Sequence, residues 1–190
     1  VRTFILMGRP GSGKGTQAKF LATKIGALRF ASGAEVRKAA EHDGILGKKI
    51  KAITERGDLV PAWFISHLFV NILQGMRPET KVILDGFCRE ESEARLFDEV
   101  ATFLERPYMI INIDVSEEEA VGRLGQRLGI EHRSDDSRES VKRRFEEFNG
   151  PTKAALEFFR TCGKVIDIDG TGTPEDVFKR IEEKVAALGA

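Results

Sequence analysis

A chain of 190 residues with 41% hydrophobic residues is long enough for one packed domain carrying small inserted lobes. Its 30 Lys and Arg balance 30 Asp and Glu, so no basic excess marks a dedicated nucleic-acid binder. Cys88 and Cys162 form neither a disulfide framework nor a metal-ligand spacing, no apolar run nears membrane-spanning length, and the opening VRTFILMG is too short for a secretion signal; a soluble cytoplasmic protein with no membrane or nucleic-acid partner is expected.

In chain order, the first predicted strand is TFILM (3–7), which runs into GRPGSGKGT (8–16) and then a helical segment. A weaker strand, ALRF (27–30), follows. From Ser32 to about Val60 there are helical segments without a strong strand, which reads as an excursion from the core. The next helix, 61–75, opens on Pro61, a residue suited to a first turn. VILDGF (82–87) is a strand, a helix runs from about Glu90 to Arg106, and YMIINIDV (108–115) is a strand again. Ser116 and Glu119 make a capping-box pattern for a helix over 116–127. A short polar loop at 128–134 is a second excursion, and the helical pattern 137–160 is kinked or split at Gly150-Pro151. KVIDID (164–169) is the last strand. Thr173 and Pro174 open the last helix, with Val177, Ile181, Val185 and Leu188 on one face. The strands are continuous apolar runs, as strands buried on both faces are. Alternating with helices, they predict an α/β fold: a mostly parallel five-stranded sheet, helices on both faces, ligands at the carboxyl ends.

GRPGSGKGT contains the pattern G-x-x-x-x-G-K-[ST] between a predicted strand and a predicted helix, which makes the fold a three-layer P-loop NTPase type. Glycines let the backbone approach a phosphate and aim several N–H groups at it, and the following helix adds its positive end. Lys14 reaches the β- and γ-phosphates, and Thr16 offers a hydroxyl to Mg²⁺. The plain alternative is a glycine turn that only joins strand to helix. KVILDGF supplies the acid such a site needs: Asp85 ends a strand and can hold Mg²⁺ through its water shell.

A phosphate site does not name the acceptor. No N-K-x-D guanine signature is present. Arginines gather instead: Arg89 four residues after Asp85, Arg37 in ASGAEVRKA, Arg123 and Arg127 one helical turn apart, Arg133 in the polar loop, Arg144 in the next helix. Guanidinium groups suit phosphate oxygens and the spread charge of a phosphoryl group in transfer. With GRPGSGKGTQ (8–17), ASGAEVRKA (31–39), RGDLVP (56–61), LDGFCR (84–89), GRLGQR (122–127), HRSDDS (132–137) and KVIDIDGT (164–171) in that order, the whole chain resembles the adenylate kinase family of nucleoside monophosphate kinases, in its short-lid form.

That resemblance implies a core of residues 1–30, 61–122 and 135–190, a monophosphate-binding lobe of 31–60 and a lid of 123–134, working as a monomer on ATP, Mg²⁺ and a nucleoside monophosphate, most simply AMP. It places ATP against Gly11, Ser12, Gly13, Lys14, Gly15 and Thr16, with Arg123, Arg127 and Gly170 completing the donor site. Ser32, Arg37, Val60, Gly86, Arg89 and Glu93 form the acceptor pocket. Lys14, Arg89, Arg123, Arg133 and Arg144 surround the group in flight, Asp135 and Asp136 are lid acids that pair with the arginines, and Asp85 with Thr16 serves the metal. Five residues separate Arg127 from Arg133, too few for the inserted lid that holds zinc in longer relatives, so no structural zinc is expected. Gly26, Gly33 and Gly57 lie near the proposed lobe edges, as hinges or as ordinary turns.

Four positions depart from the family pattern. Cys88 stands where DGFPR has Pro, either as a small buried filler or as an exposed thiol beside Arg89. Arg9 stands at a commonly small position and is expected to point to solvent more readily than to a phosphate. Ala34 replaces a common Asp. Glu93 replaces a Gln that reads the acceptor base; an ionised Glu only accepts hydrogen bonds, which favours another monophosphate (GMP, CMP or UMP) unless Glu93 turns to solvent. A small-metabolite kinase on the same scaffold and a non-catalytic adenine-nucleotide sensor are the rival readings.

Overall fold

The computed structural model describes residues 1–56, 58–128 and 138–188, with side chains described for all of these except 126–128 and 138–140. Five strands, β1 (Thr3–Gly8), β2 (Leu28–Ala31), β3 (Val82–Asp85), β4 (Tyr108–Asp114) and β5 (Val165–Asp169), form one parallel sheet in the order β2-β3-β1-β4-β5. The central strands are buried on both faces. Phe4 and Leu6 join Ile83, Ile111 and Ile168 under helices α1 (Lys14–Ile25) and α9 (Pro174–Ala186). Ile5 and Met7 join Leu84 and Ile110 on the other side, under α4 (Ala62–Gln74), α5 (Glu91–Phe103) and α8 (Lys153–Thr161). This is why the strands read as unbroken apolar runs.

The local signals explain the boundaries. Thr173 accepts from the Asp176 amide and Asp176 reciprocates, a complete capping box for α9. Helix α6 (Glu117–Leu128) keeps half of one: Ser116 accepts from the Glu119 amide at 3.1 Å, while the Glu119 carboxylate turns to Arg123 instead. The 137–160 pattern splits as Gly150-Pro151 suggests, into α7 (Arg138–Glu147), a π-helical turn (Phe148–Thr152) and α8. Strand β3 stops at Asp85, two residues before its apolar run ends, because Gly86 turns the chain at φ +74°. The excursion at 31–60 is a helical pair, α2 (Ser32–Ala40) and α3 (Ile45–Glu55). Gly26 terminates α1 in the left-handed region, Gly33 lies inside α2 rather than in a turn, and Gly57 falls outside the described residues.

From β1 the chain winds through α1 to β2 on one side; from β3 it crosses β1 to reach β4 on the other. The carboxyl ends of β1 and β3 therefore open a crevice at the point where the winding reverses, where ligands of open parallel sheets gather.

Candidate active site

Two turns line this crevice. After β1, residues 8–13 fold back on themselves: the Ser12 amide donates to the Arg9 carbonyl (3.1 Å), and the Thr16 and Gln17 amides donate to Gly13 (3.0 and 3.1 Å). Gly11 is required here, since at φ +85° an added Cβ would lie 2.3 Å from the Ala120 carbonyl oxygen of α6. Helix α1 starts without a side-chain cap and without an acidic residue in its first turn, so no anion of the helix itself meets its positive end; the Asp85 carboxylate of β3 stands beside that turn. Lys14 bends over the loop, with Nζ 3.3 Å from the Arg9 carbonyl. Arg123, on α6, spans the same corner: it donates to the carbonyls of Ser12 (3.5 Å) and Gly170 (2.8 Å) and pairs with Glu119 (2.5 Å). Loop, α6 and the turn after β5 are thus joined by one guanidinium.

Arg9 does not point to solvent. It pairs with Glu117 (3.5 Å), lies over the Phe148 ring of the π-turn at 5.4 Å, and so ties the loop to α6 and to the α7–α8 joint. The Glu117 carboxylate and the Phe148 ring face account for this, since together they offset the hydration the guanidinium gives up on partial burial.

The turn after β3 forms the second corner. Ser32 Oγ (2.8 Å) and Arg89 Nε (2.9 Å) both donate to the Gly86 carbonyl. A Cβ on Gly86 would meet Arg89 Nη2 at 3.0 Å and Ser32 Oγ at 3.2 Å, so glycine is needed for space as well as for its φ. Arg37 lies on α2 with Nη1 3.3 Å from where a Gly33 Cβ would stand, and Val60 is buried beside Phe64. Burial lowers the pKa of the Arg89 guanidinium. Glu147 and Glu93 act against that, while Arg144 adds to it. Glu147, on α7, carries a carboxyl that burial pushes above its usual range; Arg89, Arg144 and a hydrogen bond from the Leu59 amide draw it down. Sequence reasoning missed Glu147, although it lies one turn of helix from the singled-out Arg144. Nearby, Arg143 pairs with Asp58 and donates to the Arg56 carbonyl (3.2 Å).

Glu93 neither turns to solvent nor stands free to read a base. It is buried, and its carboxyl folds back onto the amides of Arg89 (2.7 Å) and Glu90. Burial dominates its titration and pushes it up to about 7 against those two bonds. Cys88 is fully buried in the core under α4, α5 and α8, so the exposed-thiol alternative fails. The described chain has no cis peptide bond; Cys88 sits at φ +58°, a conformation closed to Pro, and the turn here differs from one that Pro could make. Burial pushes the Cys88 thiol well up, which makes it a poor nucleophile.

Asp85 stands between the corners. Its Oδ2 lies 3.6 Å from where a Cβ on Gly15 would be, against the first turn of α1, and it pairs with Arg29 of β2 at 2.5 Å. One carboxylate beside a threonine-bearing helix start fits Mg²⁺, which keeps most of its waters and takes substrate phosphates as its other ligands. Among the described residues there is no cluster of three or more His, Cys, Asp or Glu able to hold a metal by itself. The side chains of Arg127, Arg133, Asp135 and Asp136 lie outside the described residues.

A family model described as adenylate kinase matches residues 6–164. An adenylate kinase of Thermus thermophilus is 37% identical over 189 residues, covering 97% of this chain and 96% of its own. One of Parabacteroides distasonis is 34% identical, covering 95% and 96%, and adenylate kinase 1 of Schistosoma mansoni is 33% identical, covering 99% and 94%.

Proposed function

The chain belongs to the adenylate kinase family of phosphotransferases and moves the terminal phosphoryl group of ATP to AMP, giving two ADP; we propose that the two corners of the crevice divide that work. The corner after β1 takes the donor. The loop of Gly11, Ser12, Gly13, Gly15 and Thr16 takes the phosphates, Lys14 follows the transferring group, and Arg123 and Gly170 face the donor base with Arg127. The corner after β3 takes the acceptor, with Arg37 and Arg89 on its phosphate and Ser32, Val60 and Gly86 around it. Arg144 and Arg133 complete the positive surround. Mg²⁺, when bound through Asp85 and Thr16, draws charge from the donor phosphates.

The observation that carries this reading is the meeting of Arg89, Arg144, Glu147 and Asp85 in one electrostatic neighbourhood at the carboxyl end of β3, next to the β1 loop. Phosphoryl transfer needs alignment and charge compensation more than covalent help, so no general base is required. Water has to be kept out, which calls for closure of the 31–60 lobe and the 123–134 lid over both nucleotides. The Glu93 carboxyl is engaged with backbone amides, which supports AMP over a guanine acceptor. A cytoplasmic monomer is the setting this reading carries, and no described helix is long and apolar enough to cross a membrane.

A coupled assay for ADP tests the reading. ATP with AMP should give rapid turnover, ATP alone next to none, and GMP, CMP and UMP much less than AMP. ADP from ATP alone would mark an ATPase, and equal use of GMP would overturn the assignment of the acceptor.

A further inference from the structure

Asp85 already has a cation of its own. Arg29 lies one strand away on β2, its Cα opposite Ile83 of β3. Neighbours in register share a face, and so do residues two apart, so Arg29, Ile83 and Asp85 all leave the sheet on the side that α1 covers. There Arg29 Nη2 meets Asp85 Oδ2 at 2.5 Å, with the two side chains only 26% and 9% exposed. A Cβ on Gly15 would stand 3.9 Å from that Nη2 and 3.6 Å from that Oδ2. The pair is therefore pressed against the first turn of α1, between Lys14 and Thr16 in sequence. Arg29 Nε is buried with no hydrogen-bond partner. None of the transfer roles above uses this arginine.

Two cations that share a carboxylate repel, and at a few ångströms in a partly shielded site the repulsion is not screened away. A guanidinium on Asp85 also lowers the negative potential that a metal-free triphosphate meets when it enters. Both effects act on the same quantity, the factor by which Mg²⁺ tightens ATP.

We propose that Arg29 is a positioning residue that competes with Mg²⁺ for Asp85: it holds the carboxylate before the metal arrives, weakens the grip on the metal, and favours metal-free nucleotide. The inference rests on the assignment of Asp85 to the metal shell.

Calorimetry with a β,γ-imido analogue of ATP, in Mg²⁺ and in EDTA, tests it. The ratio of the two dissociation constants is the metal coupling. Arg29→Gln keeps a donor towards Asp85 but loses the charge; it should weaken metal-free binding and raise the coupling by about fivefold or more. Arg29→Lys keeps the charge and should stay within roughly twofold of the wild type. Arg29→Met serves in place of Gln should thermal unfolding show that the Gln variant does not fold. Asp85→Asn should lower the coupling. Loss of coupling in Asp85→Asn with none gained in Arg29→Gln overturns the role of Arg29 and leaves Asp85 in place. Unchanged coupling in both removes Asp85 from the metal shell and this inference with it. An analogue that fails to bind even the wild type defeats the donor site itself.

Discussion

Residues 8–16 and 85–93 both carry the chain from a parallel strand through a tight turn into a helix, yet they meet negative charge in opposite ways. Helix α1 begins on Gly13 with no side-chain cap and no acidic residue in its first turn, so its positive end is turned towards a phosphate rather than towards a carboxylate of its own. Helix α5 begins with Glu91 and Glu93, and Glu93 reaches back to the Arg89 and Glu90 amides. The second turn has satisfied its own amides with an internal anion, and what it offers a ligand is the Arg89 side chain. A helix start binds an anion from outside only when the sequence withholds one from inside.

The contrast breaks most sharply at Lys14. Lys14→Ala should reduce kcat roughly 10²- to 10³-fold, the range found for losing one well-placed electrostatic donor, with thermal stability nearly unchanged. Turnover within a few-fold of the wild type would move catalysis away from the first turn.

Next comes Glu93, whose carboxyl titrates near 7 when folded against an ordinary value of 4.5. The folded state holds this proton more tightly than the unfolded chain does. The contribution is thus fully present below pH 4.5 and is lost as pH rises through about 7. Glu93→Gln keeps an acceptor for the Arg89 amide and removes the titration. It should match the wild type near pH 4.5 and exceed it at pH 8 by at most about 3 kcal/mol. Unfolding curves of the two proteins from pH 4.5 to 8 provide the check, and parallel curves would remove Glu93 as the source.

Arg89→Ala should raise the KM for AMP about tenfold while leaving that for ATP within a factor of about two, because the charged hydrogen bonds it loses belong to the acceptor corner. An equal rise for both nucleotides would erase the division between the two turns. The smallest effect is expected at the surface. Arg143→Ala removes the exposed pair with Asp58 and should barely move the thermal unfolding midpoint, with 1 M salt removing what difference there is.

The first turn was legible in the sequence because it is made of backbone: spacing, glycines and one lysine specify it locally. The strands were legible for a similar reason, since burial on both faces leaves unbroken apolar runs. The second turn was harder. Glu93 could be placed on a helix, but not its burial, which depends on how α5 sets Ala94 and Phe97 into the same core as Cys88. Arg9 looked like a surface charge because its partners, Glu117 and Phe148, come from distant elements. Arg29 lies 56 residues from Asp85, and its one local sign was a charged residue inside the apolar run ALRF. Charges neutralised across a sheet leave no periodic trace, so they are read from the fold.

The π-helical turn at Phe148–Thr152 sets the aim of Arg144. Helix α8 is anchored by Leu156 and Phe159, and Pro151 has no amide hydrogen to close a regular helical bond. The widened turn works like a spacer ring between two shafts, fixing the angle at which α7 leaves α8. Removing one residue from it would rotate α7 by about 100° around the helix axis. Arg144 and Glu147 would then swing away from Arg89 together, although neither of their own side chains had been changed.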